Sequence, residues 1–134
     1  MLVTVVTFGG CNTDSSDSES DLEGSWTVTS WVQDGVAQPE AVSSGLIIVF
    51  TNETMTISNT TGESFIYSGS YTMDEVDHIE ATLNETTGNS EINQYEFSVD
   101  AGISSSTLTL DGDMIARSPF WPDNNSTISI AATR

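Results

Sequence analysis

Polar and apolar residues alternate with a period of two along most of the chain after residue 23, and no window shows apolar residues at helical spacing. The alternating positions are rich in Thr, Val, Ile, Tyr and Phe, which fit a pleated, half-buried surface. A continuous apolar run over residues 46–50 is typical of a strand buried on both faces or of one at a barrel closure. Asp34-Gly35 and Asp111-Gly112 are turn pairs, and the second favours a tight hairpin. The pattern predicts an all-β domain.

Eight or nine short strands are expected between residue 24 and the end of the chain. In the first strand, Trp26, Val28 and Val32 would share one face. Short links favour an up-and-down antiparallel order, and a sheet of that many strands avoids exposed edges by closing on itself. We therefore predict an up-and-down antiparallel β-barrel, with a two-sheet sandwich as the alternative. Large side chains expected inside are Trp26, Phe50, Phe65, Tyr67, Tyr71, Tyr95 and Phe97.

The charge balance narrows the choice of partners. The 134 residues include 20 Asp and Glu against two Arg, no Lys and one His, for a net charge of −18. Nucleic acid is excluded as a partner because its phosphates need Lys and Arg. The lack of basic residues also predicts a halophilic protein, since the Debye length falls to about 3 Å near 1 M salt and self-repulsion weakens. An acidic extracellular protein from ordinary water is the alternative.

The first 23 residues differ in composition from the rest. Residues 1–10 are an apolar stretch, too short to span a bilayer, that leads into Cys11, the only cysteine. The segment Phe8-Gly9-Gly10-Cys11 resembles the lipobox of bacterial and archaeal lipoproteins, in which the cysteine receives the lipid. No basic residue precedes the apolar run, so we expect residues 1–10 to be the remnant of a truncated signal peptide. The acidic, Ser-rich stretch that follows predicts a disordered tether over residues 11–23.

These features predict where the protein is found. A lipid on Cys11 would attach it to the membrane of the cell envelope, facing outside the cytoplasm. The alternative for Cys11 is a small buried side chain or an unused thiol.

A second resemblance lies in the first strand. Residues 22–31, LEGSWTVTSW, followed by Asp34-Gly35, resemble the opening of the lipocalin-like (calycin-type) domains of prokaryotic envelope lipoproteins, with Gly24-x-Trp26 as the shared core. The resemblance implies a barrel over residues 24–134 in which the tryptophan closes one end. It also implies an arginine packed across that ring, for which Arg134 is the first candidate and Arg117 the second. Such a contact contributes about 0.5–2 kcal/mol.

Groups able to carry catalysis or bind a metal are scarce apart from the carboxylates. No nucleophile elbow, phosphate-binding loop or zinc helix occurs. His78, the only histidine, would face outward beside Asp77 and Glu80, whereas a catalytic triad needs a buried acid. Residues 74–78 are rich in ionisable groups but lack the spacing of a calcium loop, which favours a solvated turn. We expect no enzymatic activity, no cofactor and no metal site.

Two functions remain open. A closed barrel of eight strands can hold one small molecule, which predicts the binding of a small apolar ligand. The alternative is a structural or interaction domain of the envelope, filled by its own aromatic side chains. Residues 118–123 are expected to form a loop whose two aromatic side chains either cap the barrel or, if exposed, line the mouth of a pocket or contact a partner. The candidate ligand-binding residues are Tyr67, Tyr71, Tyr95, Phe120 and Trp121.

Overall fold

The computed structural model of the protein describes residues 21–61, 65–87 and 91–134. The predicted lipid attachment at Cys11, the remnant signal peptide and most of the tether lie outside these residues. The elements that lie wholly within these residues are nine strands and one short helix: β1 (Gly24–Gln33), β2 (Val36–Ala37), α1 (Pro39–Ser43), β3 (Ile47–Phe50), β4 (Thr54–Ser58), β5 (Ile66–Met73), β6 (His78–Glu85), β7 (Gln94–Ile103), β8 (Thr107–Ser118) and β9 (Trp121–Thr133).

The strands form a closed, up-and-down antiparallel barrel. β1 pairs with β3, and each strand from β3 to β9 pairs with the next along the chain. The barrel closes where β9 returns to β1, in a register that runs from Thr27 opposite Thr133 to Gln33 opposite Ile128. β2 is an extra strand of two residues that folds back on the end of β1. The prediction of an all-β up-and-down barrel is therefore confirmed, and the sandwich alternative is excluded.

The two ends of the barrel differ in how they are covered. At the closed end, where β1 begins, the residues Leu22 and Trp26 are fully buried and Arg134 lies over the tryptophan ring. At the open end lie α1, β2 and the turn between β8 and β9. Because Leu22 belongs to the core cluster, the packed domain includes a residue that we had predicted to be part of the tether.

A β-bulge in β1 decides which of its side chains face the interior. The pairing of β1 with β9 shifts by one residue between Val28 and Ser30. Such a shift reverses the faces of the strand, because side chains alternate with a period of two. Trp31 and Gln33 consequently line the interior at the open end. Strict alternation had placed Val32 on the core face, and that prediction is wrong.

The two Asp-Gly pairs of the sequence have different structures. Asp34 and Gly35 have positive φ angles, 53° and 79°, and form the tight turn between β1 and β2. β8, in contrast, continues through Asp111-Gly112, so the predicted hairpin there is wrong. Gly112 lies opposite Val99, and a Cβ atom added to it would collide with the backbone of β7. Close approach of two strands explains this glycine, rather than a turn.

The interior is packed with apolar side chains over most of its length. Among the seven large side chains predicted to lie inside, five are buried and two, Phe65 and Tyr95, are partly buried against the core. The predicted interior set therefore describes the core well. The two partly buried rings lie near the open end, where the packing is incomplete.

Candidate ligand-binding site

A cavity of about 370 Å³ lies inside the open end of the barrel. Strands β1, β4, β5 and β7 contribute side chains to it, and α1 contributes part of its edge. We call its five aromatic side chains the aromatic wall: Trp31, Phe65, Tyr67, Tyr95 and Phe97. We call its polar and small side chains near α1 the rim: Gln33, Gln38, Glu40, Ala41 and Ser44.

The rings of the aromatic wall contact one another edge to face. The centroids of Tyr67 and Tyr95 are 4.7 Å apart with an interplanar angle of 61°. Phe65 and Tyr67 are 5.8 Å apart at 67°. Both arrangements are favourable for aromatic quadrupoles. The wall is therefore a packed surface and not a set of loose side chains.

Hydrogen bonds hold the two phenols of the wall. The Tyr67 hydroxyl donates to the carbonyl oxygen of Ile92 at 2.6 Å. The Tyr95 hydroxyl is hydrogen-bonded to that of Tyr67, and burial raises the pKa of Tyr95 well above its usual value. The Tyr95 phenol therefore remains neutral at any physiological pH.

The helix α1 covers one side of the mouth. Pro39 starts the helix, which suits the first turn because proline lacks the amide hydrogen that would be unpaired there. The amide of Gln38 donates to the carbonyl of Trp31 at 2.8 Å, and the carbonyl of Ser44 accepts from the amides of Thr60 and Thr61 at 3.0 Å each. These bonds fix α1 against β1 and the end of β4.

Positive charge at the open end is already paired. Nη1 of Arg117 lies 2.5 Å from a carboxylate oxygen of Glu96, and its Nε donates to Asp123 at 3.0 Å. Hydrogen bonds to these two carboxylates raise the pKa of Arg117 further. Arg117 was the second candidate for a contact with Trp26, but it lies at the opposite end from that ring.

Trp26 and Arg134 meet at the closed end. The Trp26 indole Nε1 donates to the carbonyl oxygen of Leu22 at 2.8 Å. The Arg134 Cζ lies 4.1 Å from the centroid of the indole, within the range of a cation–π contact. The guanidinium also donates to the carbonyls of Glu23 at 2.8 Å and Ser105 at 3.0 Å. Trp26 is 0% exposed, so this end offers no opening beside the ring.

The five predicted ligand-binding residues lie in three places. Tyr67 and Tyr95 line the cavity. Tyr71 does not line it, because its ring packs against Phe50 at 5.2 Å and its hydroxyl donates to the carbonyl of Thr51 at 2.8 Å. Phe120 and Trp121 lie at the turn between β8 and β9, and neither lines the cavity. Phe120 is 72% exposed and Trp121 is 42% exposed, so of the two alternatives left open by the sequence, capping of the barrel is excluded.

The candidates taken from the sequence include only Tyr67 and Tyr95 among the residues that line the cavity. Trp31 enters the cavity only because of the bulge in β1, and no residue of α1 was among the candidates. A signal for α1 existed, because Gln38-Pro39-Glu40 combines proline at a helix start with an acidic first turn.

No family model, curated protein or solved structure matches this chain. The closed up-and-down barrel is compatible with a lipocalin-like fold, and the tryptophan with its arginine is arranged as that resemblance implies. In the part of the chain that the structure describes, no helix has the length and apolar character needed to cross a membrane.

The only histidine forms a network on the outer surface of β6 and β7. Nδ1 of His78 lies 2.8 Å from Asp100, and Nε2 lies 2.7 Å from Glu80 and 3.0 Å from the hydroxyl of Ser98. Hydrogen bonds to Asp100 and then Glu80 raise the pKa of His78. Ser98 donates its hydroxyl proton to Glu80 at 2.6 Å. A histidine that activates a serine needs a nitrogen free to accept the proton of the serine hydroxyl. Here Nε2 of His78 and the Ser98 hydroxyl both contact Glu80, so the network is typical of polar pairing between neighbouring strands.

Residues 74–78 form the turn between β5 and β6. Oδ1 of Asp74 accepts hydrogen bonds from the amides of Val76 at 3.0 Å and His78 at 2.9 Å. This is the self-capping typical of an Asx turn, which agrees with the predicted turn. Across residues 21–61, 65–87 and 91–134, no group of three or more His, Cys, Asp or Glu side chains could hold a metal ion.

Proposed function

We propose that this protein is a lipid-anchored, extracytoplasmic lipocalin-like barrel that binds a small, largely apolar ligand at its open end. The observation that carries the proposal is the cavity of about 370 Å³ with its aromatic wall. Ligand sites typically enclose roughly 300–1,000 Å³ and combine apolar walls with a few polar groups. The cavity has both the size and the lining of such a site.

The incomplete packing of the open end favours binding over a purely structural role. A barrel filled by its own side chains would bury Phe65 and Tyr95, yet both are only partly buried and line the cavity. Covering apolar surface yields roughly 25 cal/mol per Å². A ligand that covers these two rings would bury apolar surface that stays exposed in the free barrel, and this burial would favour binding.

The end of the barrel at which the described chain begins supports a ligand site on an anchored protein. The chain enters the barrel at the closed end, where Leu22 packs in the core. A lipid on Cys11 would hold the protein from that side, and the mouth of the cavity lies at the opposite end. The anchor itself rests on the resemblance of residues 8–11 to a lipobox.

A membrane-fractionation experiment tests the anchor. We expect the unmodified chain to sediment with membranes in its native cells, and Cys11→Ser to appear in the soluble fraction because it lacks the thiol that receives the lipid. Asn12→Ser is the matched control and should remain with the membranes. Membrane association of Cys11→Ser would refute the lipid anchor.

Nuclear magnetic resonance titration tests the ligand site. We expect 2-phenylethanol, a small neutral aromatic alcohol, to shift the indole N–H signal of Trp31 in a saturable manner. Ala41→Phe places a ring in the cavity and should abolish this shift. Val42→Phe adds the same ring to the neighbouring exposed position of α1 and should preserve it.

Two outcomes of the titration would contradict the proposed binding. One is the absence of a saturable shift in the unmodified protein, which would favour the structural alternative. The other is an equal response in Ala41→Phe, with the remaining spectrum showing that this variant is folded. Either result would place the binding of the probe outside the cavity or exclude it altogether.

A further inference from the structure

The lining of the cavity narrows the class of ligand, and this inference rests on the proposed ligand site. Among the residues that line the cavity, Glu40 is the only one with a charged side chain. Within the described part of the chain, its carboxylate forms no ion pair. A carboxylate at the mouth is thus available to a ligand.

Three polar side chains of the rim each donate one hydrogen bond within the protein. The amide nitrogen of Gln33 donates to the Ser126 hydroxyl at 3.1 Å, and that of Gln38 donates to the carbonyl of Val36 at 3.2 Å. The hydroxyl of Ser44 donates to the carbonyl of Ala41 at 3.0 Å. Each glutamine amide keeps a second N–H, so the rim offers a ligand both donors and acceptors, and the Glu40 carboxylate is its one charged acceptor.

An anionic ligand would find no cationic side chain in this lining to balance its charge. The guanidinium of Arg117 is bound by two carboxylates, and Arg134 lies at the closed end. Moving a carboxylate out of water without a cation or a set of donors is strongly unfavourable. The net charge of −18 adds long-range repulsion to the same effect.

A cation, by contrast, is favoured by each part of the site. The faces of aromatic rings attract ammonium groups, and the attraction grows when water is excluded. The Glu40 carboxylate supplies an opposite charge at the mouth. The acidic surface raises the local concentration of cations.

We infer that the cavity selects an organic ammonium cation, with the charged group paired to Glu40 and an aromatic or aliphatic body against the aromatic wall. This assigns Glu40 as the residue that determines the charge of the ligand. It also assigns the aromatic wall as the surface that binds the uncharged part of the ligand, and not the exposed turn between β8 and β9.

Three probes that share a phenyl-alkyl body test the inference by calorimetry or by the Trp31 signal. They are 2-phenylethylammonium, 2-phenylethanol and phenylacetate. We expect the ammonium to bind about twofold to thirtyfold more tightly than the alcohol, from the known range of cation–π attraction. We expect no saturable binding of phenylacetate. Equal or tighter binding of the alcohol or of phenylacetate would overturn the inference.

Variants at two glutamates separate a local contact from the general negative charge. Glu40→Gln should lower the preference for the ammonium by about twofold to fivefold, as expected for a pair with an exposed carboxylate, and leave the binding of the alcohol unchanged. Glu91→Gln removes the same charge from an exposed position at the open end that does not line the cavity, and it should retain the preference. Equal losses in both variants would overturn the assignment of Glu40.

The same titrations distinguish failure of this inference from failure of the proposed function. Saturable binding of 2-phenylethanol without a preference for the ammonium leaves the ligand site in place and refutes its charge selectivity. Absence of binding by all three probes contradicts both.

Discussion

Replacing Trp26 by alanine tests how far the closed end stabilises the barrel. The indole is 0% exposed, donates to the Leu22 carbonyl at 2.8 Å and carries Arg134 4.1 Å from its centroid. Truncation of a buried Phe or Trp to Ala costs about 3–5 kcal/mol, because a cavity remains. The lost donor and the lost ring partner place this variant in the upper half of that range.

The measurement is urea unfolding followed by circular dichroism, with the free energy of unfolding taken from the midpoint and the slope. Trp121→Ala is the matched control, because this indole is 42% exposed on the turn between β8 and β9. We expect the control to change the free energy of unfolding by no more than about 0.5 kcal/mol. A loss below about 1 kcal/mol for Trp26→Ala, or equal losses in the two variants, would refute the closing role.

A double-mutant cycle isolates the contribution of the guanidinium. Trp26→Leu and Arg134→Gln, made singly and together, should show a coupling free energy of about 0.5–1 kcal/mol, as for an exposed cation–π contact. The guanidinium also donates to two backbone carbonyls, and those bonds do not depend on the ring. A coupling of zero would show that Arg134 acts through the carbonyls alone.

Three further predictions concern the pH dependence, the strand interior and the salt dependence of stability. Hydrogen bonds to Asp100 and Glu80 raise the pKa of His78 above 6.5, so their stabilisation is complete below that pH and is lost as the pH rises through the raised value. Between pH 6 and 8.5 the free energy of unfolding should therefore fall further in the unmodified protein than in His78→Gln, by an additional amount of up to about 1 kcal/mol. Equal pH slopes in the two proteins would contradict this prediction. Gly112→Ala should cost about 1–3 kcal/mol or more because its Cβ meets backbone, whereas Gly102→Ala, which meets only a side chain, should cost less in the same urea assay. Because the net charge is −18, the urea midpoint should rise with NaCl up to about 1 M, and a midpoint independent of salt would refute the halophilic interpretation.

Local features of the chain were enough to predict the strands and the barrel. A period of two in hydrophobicity reports directly which residues of a strand are buried, and it requires no knowledge of the partner strands. The same holds for Asp34-Gly35, whose residue types suit the positive φ angles of a tight turn. The contact between Trp26 and Arg134 could also be predicted, from the resemblance that the motif at the start of the first strand carries.

The candidate site depended on information that is not local. Asp111-Gly112 has the same residue types as the turn pair, yet pairing with β7 and β9 on both sides holds it inside a strand. The bulge in β1 arises from its register against β9, a strand almost a hundred residues away in the sequence. That register alone brings Trp31 into the cavity.

By itself, the sequence determined the strands, the faces of most of them, the closing tryptophan and the strongly acidic surface. Only the tertiary structure decided where the interior is left open, which side chains surround that space and which of them keep an unpaired charge. The physical reason is that burial patterns and turn preferences act between neighbouring residues. A cavity, in contrast, is the volume left over after all the strands have taken their registers, so it depends on every pairing at once.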